Sequence, residues 1–523
     1  MASRPKSILW VDDEIESLES HRRFLADQGY QVAAAAHGDD ALELLRRQPY
    51  GVVLVDEQMP GRRGLELFDA IRELDPAVPV VMVTKSEDPA VLREAIGMAV
   101  DDYLIKPLHP RQILSVVTRL LEGDRIRQQH LSREFVTRFR ELEARRGTAL
   151  GWRDWIELWA ELMSWDLKLA EAAEPGLAQA LQALLEGLRR DFGTFIAQHY
   201  PEWIAHPERD RPALSPDVVE EMVLPVLREH GRVLFVVVDC LRLDQWEALL
   251  PSVTPLFDVE TSHYFSILPS ATPYSRNAIF AGLLPRDIAT QYPQWWTEEE
   301  AESLNAHEHD LLARQLERIT GRPVPCRYEK LFGAAESDDV QRRLPAMLAQ
   351  DGVTAMVFNF VDQLTHGRSE NAILYEVARD AAALRALTCA WFERSNLKAA
   401  LVEAERRRVP VVLTTDHGSI HCHSPATVFA KRDATNNLRF KFGEDLRAEQ
   451  ADAAITVEDP VRYGLPARGL GVRCVIARED HFFVYPTKLR EYQARYRGAF
   501  LHGGASPDEM ILPVALLAPR ASR

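Results

Sequence analysis

In the first 122 residues, the segments SILWVDD, YGVVLVDEQMP, PVVMVTK and DDYLIKPL are short apolar runs ending in polar residues, the pattern of parallel strands covered on both faces. Stretches such as LESHRRFLADQG lie between them, apolar at helical spacing and closed by a glycine. This β/α alternation predicts a doubly wound parallel sheet with its site at the carboxyl ends of the strands. Strand signals stop over residues 123–205. There Trp152, Trp155, Trp159 and Trp165 keep helical spacing and LAQALQALLEGLRRDF repeats the pattern, predicting a helical bundle with tryptophans in its core. The proline-rich stretch PEWIAHPERDRPALSP marks a boundary. Over residues 206–523 the alternation returns on a larger scale. GRVLFVVVD, VTAMVFNF, VPVVLTTDHG and CVIARE read as buried strands with helices between them, a second α/β domain.

Composition narrows the class. The chain has 523 residues, 46% hydrophobic and 27% charged, ordinary for globular domains. A formal charge of -16 argues against a general nucleic-acid binder, which needs a cationic surface. No helix-turn-helix pattern or basic recognition helix is present, so sequence-specific DNA binding is not expected. The five cysteines, Cys240, Cys326, Cys389, Cys422 and Cys474, are scattered without a CxxC pair, as fits reduced thiols in a cytoplasm. No apolar run approaches the roughly 20 residues that span a bilayer. The run from Ile8 to Val11 meets Asp12 and Asp13 too early for a signal peptide. A cytoplasmic protein without membrane association is the expectation.

Two sets of residues carry chemistry. In the first, Asp12 and Asp13 follow the first strand, Asp56 ends the third, Thr84 ends the fourth, and Lys106-Pro107 follow the fifth. Carboxylates gathered there require a cation, which points to Mg2+. Asp56 is the natural phosphoryl acceptor, Lys106 its counter-charge, and Thr84 a hydroxyl for the new oxygens. With Tyr103 as switch aromatic, this set resembles the response-regulator receiver domains, a flavodoxin-like fold. The resemblance implies phosphorylation of Asp56 by a sensor histidine kinase. It also implies that Thr84 and Tyr103 relay the change to the face around the fourth helix.

The second set is spread over the C-terminal region. VVVDCLR places Asp239 at a strand end, PSATPYSR places Thr272 before a proline, NFVDQLTH offers Asp362 and His366, TTDHG offers Asp416 and His417, and LHGG offers His502. Thr272 reads as a helix N-cap with Pro273 at the first helical position, where phosphate would meet free backbone N–H groups. Three aspartates and two divalent cations sum to +1, or to zero once Thr272 is deprotonated. Mixed carboxylate and imidazole donors suit Zn2+, with Mn2+ an option. Two such ions would clamp an in-line phosphoryl transfer, and metal coordination activates a threonine hydroxyl.

In this order the set resembles the alkaline-phosphatase superfamily and its PglZ branch. By that resemblance, Asp239, Thr272, Asp416 and His417 hold one zinc, while Asp362, His366 and His502 hold the other. Arg276, one turn after Thr272, is either a substrate contact or a surface salt bridge. His421 and His423 flank Cys422, and His263, His307 and His309 are further pocket candidates, with their roles open. TPYSR faintly echoes the sulfatase motif, which needs Cys or Ser where Thr272 stands, so sulfatase is disfavoured.

Receiver, helical middle and PglZ-type domain together resemble the response regulators of the PorX type. That resemblance implies a zinc phosphodiesterase acting on nucleotides or oligonucleotides, a homodimer on phosphorylation, contact with a sigma factor, and a role in type IX secretion. The alternative is an interaction module whose metals are structural and which binds a sigma factor without catalysis. A site with a nucleophile favours catalysis, and near-neutral charge leans towards a diester over a monoester.

Overall fold

The computed structural model describes residues 5–85, 100–172, 174–296, 305–331, 337–370, 372–430, 435, 437–469, 471–486 and 489–520. Two compact units divide the chain, Met1–Thr137 and Arg138–Arg523. The first is built on strands β1 (Ser7–Val11), β2 (Gln31–Ala35), β3 (Val52–Asp56), β4 (Val80–Thr84) and β5 (Asp102–Ile105). They are all parallel, in the order β2-β1-β3-β4-β5. Alternate residues point to opposite faces of a strand. Leu9, Val11, Val53 and Val55 therefore pack with Phe68 and Ile71, whereas Ile8, Trp10, Val52 and Leu54 pack with Leu25, Ile113 and Val117. Burial on both faces explains why these strands read as unbroken apolar runs. The relay face around the fourth helix lies outside the described residues.

In the second unit, helices Trp152–Ala172 and Pro175–Ala205 bury Trp155, Trp159 and Trp165 as the helical spacing predicts, whereas Trp152, at the first position of its helix, is only half-buried. Strands β6 (Arg232–Val238), β7 (Phe257–Phe265), β8 (Cys326–Leu331), β9 (Gly352–Phe358) and β10 (Val411–Thr414) join the C-terminal strand Ile511–Pro519 in one sheet. Its order is β7, the C-terminal strand, β10, β6, β9, β8. β8, β9, β6 and β10 are parallel; the C-terminal strand pairs antiparallel with both β10 and β7, so β7 at the edge runs in the same direction as the parallel set. β6 lies between β9 and β10, so strand order reverses at its carboxyl end and opens a crevice there. CVIARE does form a buried strand, Val472–Ala477, but it pairs antiparallel with Phe440–Glu444 and Ala454–Val457 in a separate small sheet. An apolar run alone does not distinguish a parallel from an antiparallel setting.

Buried ion pairs tie the helical segment to the α/β core. Arg385 donates to Asp166 at 2.5 Å and to Asp244 at 2.8 Å, and Arg242 holds the other side of Asp244 at 2.8 Å. Burial alone pushes the Asp244 carboxyl up, but the two guanidiniums outweigh it and hold it at about 2. A folded value below the unfolded one stabilises the protein above about pH 4, and that contribution is lost as pH falls towards 2. A depression from 3.8 to about 2 is worth about 2 kcal/mol. Asp244→Asn is thus expected to lower stability by at least that amount at pH 7. The gap to wild type should narrow at pH 3, as read by urea denaturation; a constant gap would show that the carboxylate's charge is not what matters.

Candidate metal centres

In the first unit, the carboxyl ends of β1 and β3 bring Asp12, Asp13 and Asp56 together, with one ligand oxygen from each within 4.8 Å of the others. Lys106 Nζ donates to Asp12 at 2.8 Å and to Asp56 at 2.9 Å. Burial raises the Asp56 carboxyl above its usual value, partly opposed by the Lys106 hydrogen bond. Thr84 donates to the Glu57 carboxylate, and Tyr103 is exposed on β5. Glu57 is a partner the sequence did not single out.

In the second unit, the candidate residues gather at the switch point. Asp239 follows β6, and its N–H donates to Phe358 O at the end of β9, 2.9 Å away. Cys240 turns the chain with a φ of 65°, a conformation that costs a non-glycine residue energy and often marks a functional loop. Leu241 N then donates to Thr415 Oγ1 at 3.0 Å, joining the loop after β6 to the loop after β10. As a result, Asp239, Asp416 and His417 form one buried group whose ligand atoms lie within 4.8 Å of each other.

Thr272 completes this group. Its Oγ1 lies 2.8 Å from His417 Nε2 and 3.4 Å from Asp239 Oδ1. The expected cap position shifts by one residue. Ala271 is the N-cap of helix Thr272–Ala281 because its carbonyl accepts from Tyr274 and Ser275 N–H groups. The Thr272 hydroxyl is thereby left to the site instead of to capping.

Asp362 and His366 stand four residues apart on helix Phe360–Glu370, hence on one face. With His502 they form the second group. Asp362 Oδ1 lies 3.3 Å from His366 Nε2 and 3.6 Å from His502 Nε2. The rings of His417 and His502 stack with centroids 4.2 Å apart, so the two groups share one site. Burial pushes the Asp239 carboxyl well above the usual range, with Arg276 opposing and Asp416 and Asp362 adding to the rise. Burial raises Asp362 too, but His366 and His502 overrule it and hold that carboxyl below its usual value. Asp416 Oδ2 and Asp362 Oδ1 are buried without a hydrogen-bond partner. Orphaned carboxylate oxygens in two adjacent groups are what a pair of divalent cations would satisfy.

Arg276 is no surface salt bridge. It is 2% exposed, donating to Asp239 Oδ2 at 2.8 Å, Glu308 Oε1 at 2.7 Å and Asn359 Oδ1 at 3.2 Å. Sequence reasoning missed Glu308 and Asn359. Asn359 sits in the quoted NFVDQLTH segment, one residue past β9, while nothing local marks Glu308. The remaining histidines join neither group. His307 bonds Asp310, His309 bonds Cys326 O, His421 pairs with His423 at 3.2 Å, and burial on β7 pushes His263 down to about 4.

A five-stranded parallel receiver and an α/β domain with two ligand groups at its switch point define a response regulator with a phosphatase-like output. Residues 8–118 match the response regulator receiver domain, and residues 125–204 match the PorX response regulator linker domain. Over residues 218–517, more than half its length, the chain matches the BREX system PglZ alkaline phosphatase-like domain, and it belongs to that family in the PorX-type receiver–PglZ arrangement.

Among curated relatives, the transcriptional regulatory protein ResD of Bacillus subtilis is 34% identical over 114 residues, 22% of this chain and 47% of ResD. The hydrogenase transcriptional regulatory protein HoxA of Cupriavidus necator is 32% identical over 126 residues, 24% of this chain and 26% of HoxA. The chain thus spans less than half the length of either. The solved structure of chemotaxis protein CheY4 of Vibrio cholerae is 30% identical, covering 22% of this chain and 98% of CheY4 with a TM-score of 0.21. Receiver domains take a phosphoryl group from a donor such as a histidine kinase and bind Mg2+, and alkaline-phosphatase-like domains bind metals. Among the described residues, no helix is long and apolar enough to cross a membrane.

Proposed function

We propose that the output domain is a two-zinc phosphodiesterase acting on nucleotide or oligonucleotide diesters, governed by phosphorylation of Asp56. The observation that carries this reading is the Thr272 hydroxyl, 2.8 Å from His417 Nε2 at a helix start, beside two adjacent ligand groups. Asp239, Asp416, His417 and Thr272 would hold one ion, and Asp362, His366 and His502 the other. Zinc bound there supplies Lewis acidity, polarising phosphoryl oxygens and lowering the pKa of the attacking hydroxyl. The chain's own part is positional. Asp239 and His417 orient Thr272 Oγ1, and the first N–H groups of helix Thr272–Ala281 face an incoming phosphoryl group. Three aspartates, two divalent ions and an alkoxide sum to zero, and Arg276 with Lys330 against Glu308 leaves the site near +1. A singly charged diester suits that balance better than a dianionic monoester.

In the receiver, Asp12, Asp13 and Asp56 would hold Mg2+, and phosphoryl transfer from a sensor histidine kinase would drive dimerisation. A sigma-factor partner, a role in type IX secretion and a cytoplasmic setting belong to the same reading, by likeness to PorX-type regulators.

The test pairs zinc content with hydrolysis of bis-p-nitrophenyl phosphate, before and after chelation, with sedimentation in the presence and absence of a phosphoryl donor. About two zinc ions per chain, turnover lost on chelation and restored by zinc, and a doubled mass on phosphorylation are expected. Two bound metals without turnover on this or on nucleotide diesters would leave an interaction module instead.

A further inference from the structure

The segment from His502 to Met510 ties the metal-site loops together through a buried ion pair and the backbone that this pair fixes. Arg439 and Glu509 are both fully buried. Glu509 Oε1 accepts from Gly504 N at 2.8 Å and Arg439 Nε at 3.1 Å, while Oε2 accepts from Ser506 Oγ at 2.6 Å and Arg439 Nη2 at 2.5 Å. Every lone pair of the carboxylate that geometry allows is used, and none of these partners is a proposed ligand. Three loops converge on this node. The His502 loop is held through Gly504 N. Gly504 O accepts from Ser270 Oγ at 2.7 Å, two residues before Thr272. Glu509 O accepts from Gly418 N at 3.1 Å, next to His417.

Packing allows little slack. A Cβ on Gly504 would stand 2.2 Å from Arg439 Nη2, and one on Gly418 would stand 2.0 Å from Asp508 O. Bare backbone is therefore required at both crossings. The carboxylate itself holds the His502 loop through Gly504 N, and the backbone it fixes at Gly504 and Glu509 accepts from Ser270 Oγ and Gly418 N on the other two loops, each of which carries a candidate metal-site residue.

We infer that Arg439 and Glu509 are positioning residues that set the placement of the two metal groups relative to each other and to Thr272, without touching metal or substrate. This rests on the reading that the two groups bind metal. Groups behind a ligand shell fix ligand orientation, and losing one weakens metal binding by about 10- to 100-fold.

Glu509→Gln keeps the shape of the side chain but replaces one acceptor oxygen by a donor facing Arg439 or Ser506. Ser270→Ala removes a single hydroxyl from the same node. Zinc affinity of the full chain, by competition with a chromophoric chelator, is the deciding measurement, with thermal unfolding and the kcat and KM for bis-p-nitrophenyl phosphate alongside. Glu509→Gln is expected to weaken at least one of two zinc sites tenfold or more and to lower kcat more than it raises KM. Ser270→Ala is expected to do the same to a smaller extent, with near-wild-type melting. Zinc affinity equal to wild type in the folded variants would overturn the inference whatever melting shows, since a merely stabilising pair moves only the melting. Should Glu509→Gln not fold, Ser270→Ala decides alone. Absence of zinc uptake by the wild type would remove the metal reading itself, and this inference with it.

Discussion

Thr272→Ala is expected to retain about two zinc ions per chain and to lose turnover on bis-p-nitrophenyl phosphate by on the order of 10^3-fold or more, the scale seen when a nucleophile is deleted from a catalytic unit. Within its own ligand group the Thr272 hydroxyl belongs to a half-buried residue, while Asp239, Asp416 and His417 beside it are buried. Three protein ligands remain after the substitution, enough to hold a zinc ion, so the loss should fall on kcat and not on metal content. Thr272→Ser keeps the oxygen and should retain activity within about tenfold. A Thr272→Ala enzyme that still turned over within tenfold of wild type would shift the attack to a bound water. Loss of one zinc together with turnover would make Thr272 chiefly a ligand.

The receiver was legible because its strands are buried on both faces and its site residues sit at their ends. Val52–Asp56 and Val80–Thr84 are apolar to the last residue before the functional one. The second strand, Gln31–Ala35, is alanine-rich and only its last residue is fully buried, so it carries little of that signal. In the output domain, GRVLFVVVD, VTAMVFNF and VPVVLTTDHG were legible for the same reason. β7 and β8 carry little of that signal because they are the two edge strands of the sheet. There β7 alternates buried and exposed positions and β8 keeps mostly half-buried residues such as Arg327, Glu329 and Lys330. Short-range spacing also carried the i, i+4 pair Asp362 and His366.

What spacing does not carry is a charge brought from afar in the chain. Glu308 reaches Arg276 across 32 residues and Glu509 reaches Arg439 across 70. Each is an ordinary glutamate until folding buries it. The shift of the helix cap from Thr272 to Ala271 is a further case, decided by which carbonyl accepts the first helical bonds.

Arg276→Met is expected to destabilise the metal-free protein by about 3–5 kcal/mol, the usual cost of removing one partner from a buried ionic cluster. Arg276 stands between Asp239 and Glu308, and Asp416 Oδ2 lies 3.9 Å from its Nε. Without the guanidinium, Glu308 keeps Lys330 at 3.3 Å and the Tyr328 hydroxyl, but among the described residues Asp239 keeps only an imidazole within salt-bridge distance, His417 at 3.5 Å. Burial already pushes the Asp239 carboxyl up, and Arg276 is the strongest influence opposing that. The variant should therefore respond to added cation more than wild type does. Zinc would supply positive charge to the same carboxylates, so the gap in melting temperature between wild type and Arg276→Met should be wide in chelator and narrower in saturating zinc. A gap independent of zinc would show that Arg276 works through Glu308 and packing alone. A gap that widened in zinc would mean that the guanidinium and the ion need each other, with Arg276 orienting Asp239 for the metal instead of standing in for its charge.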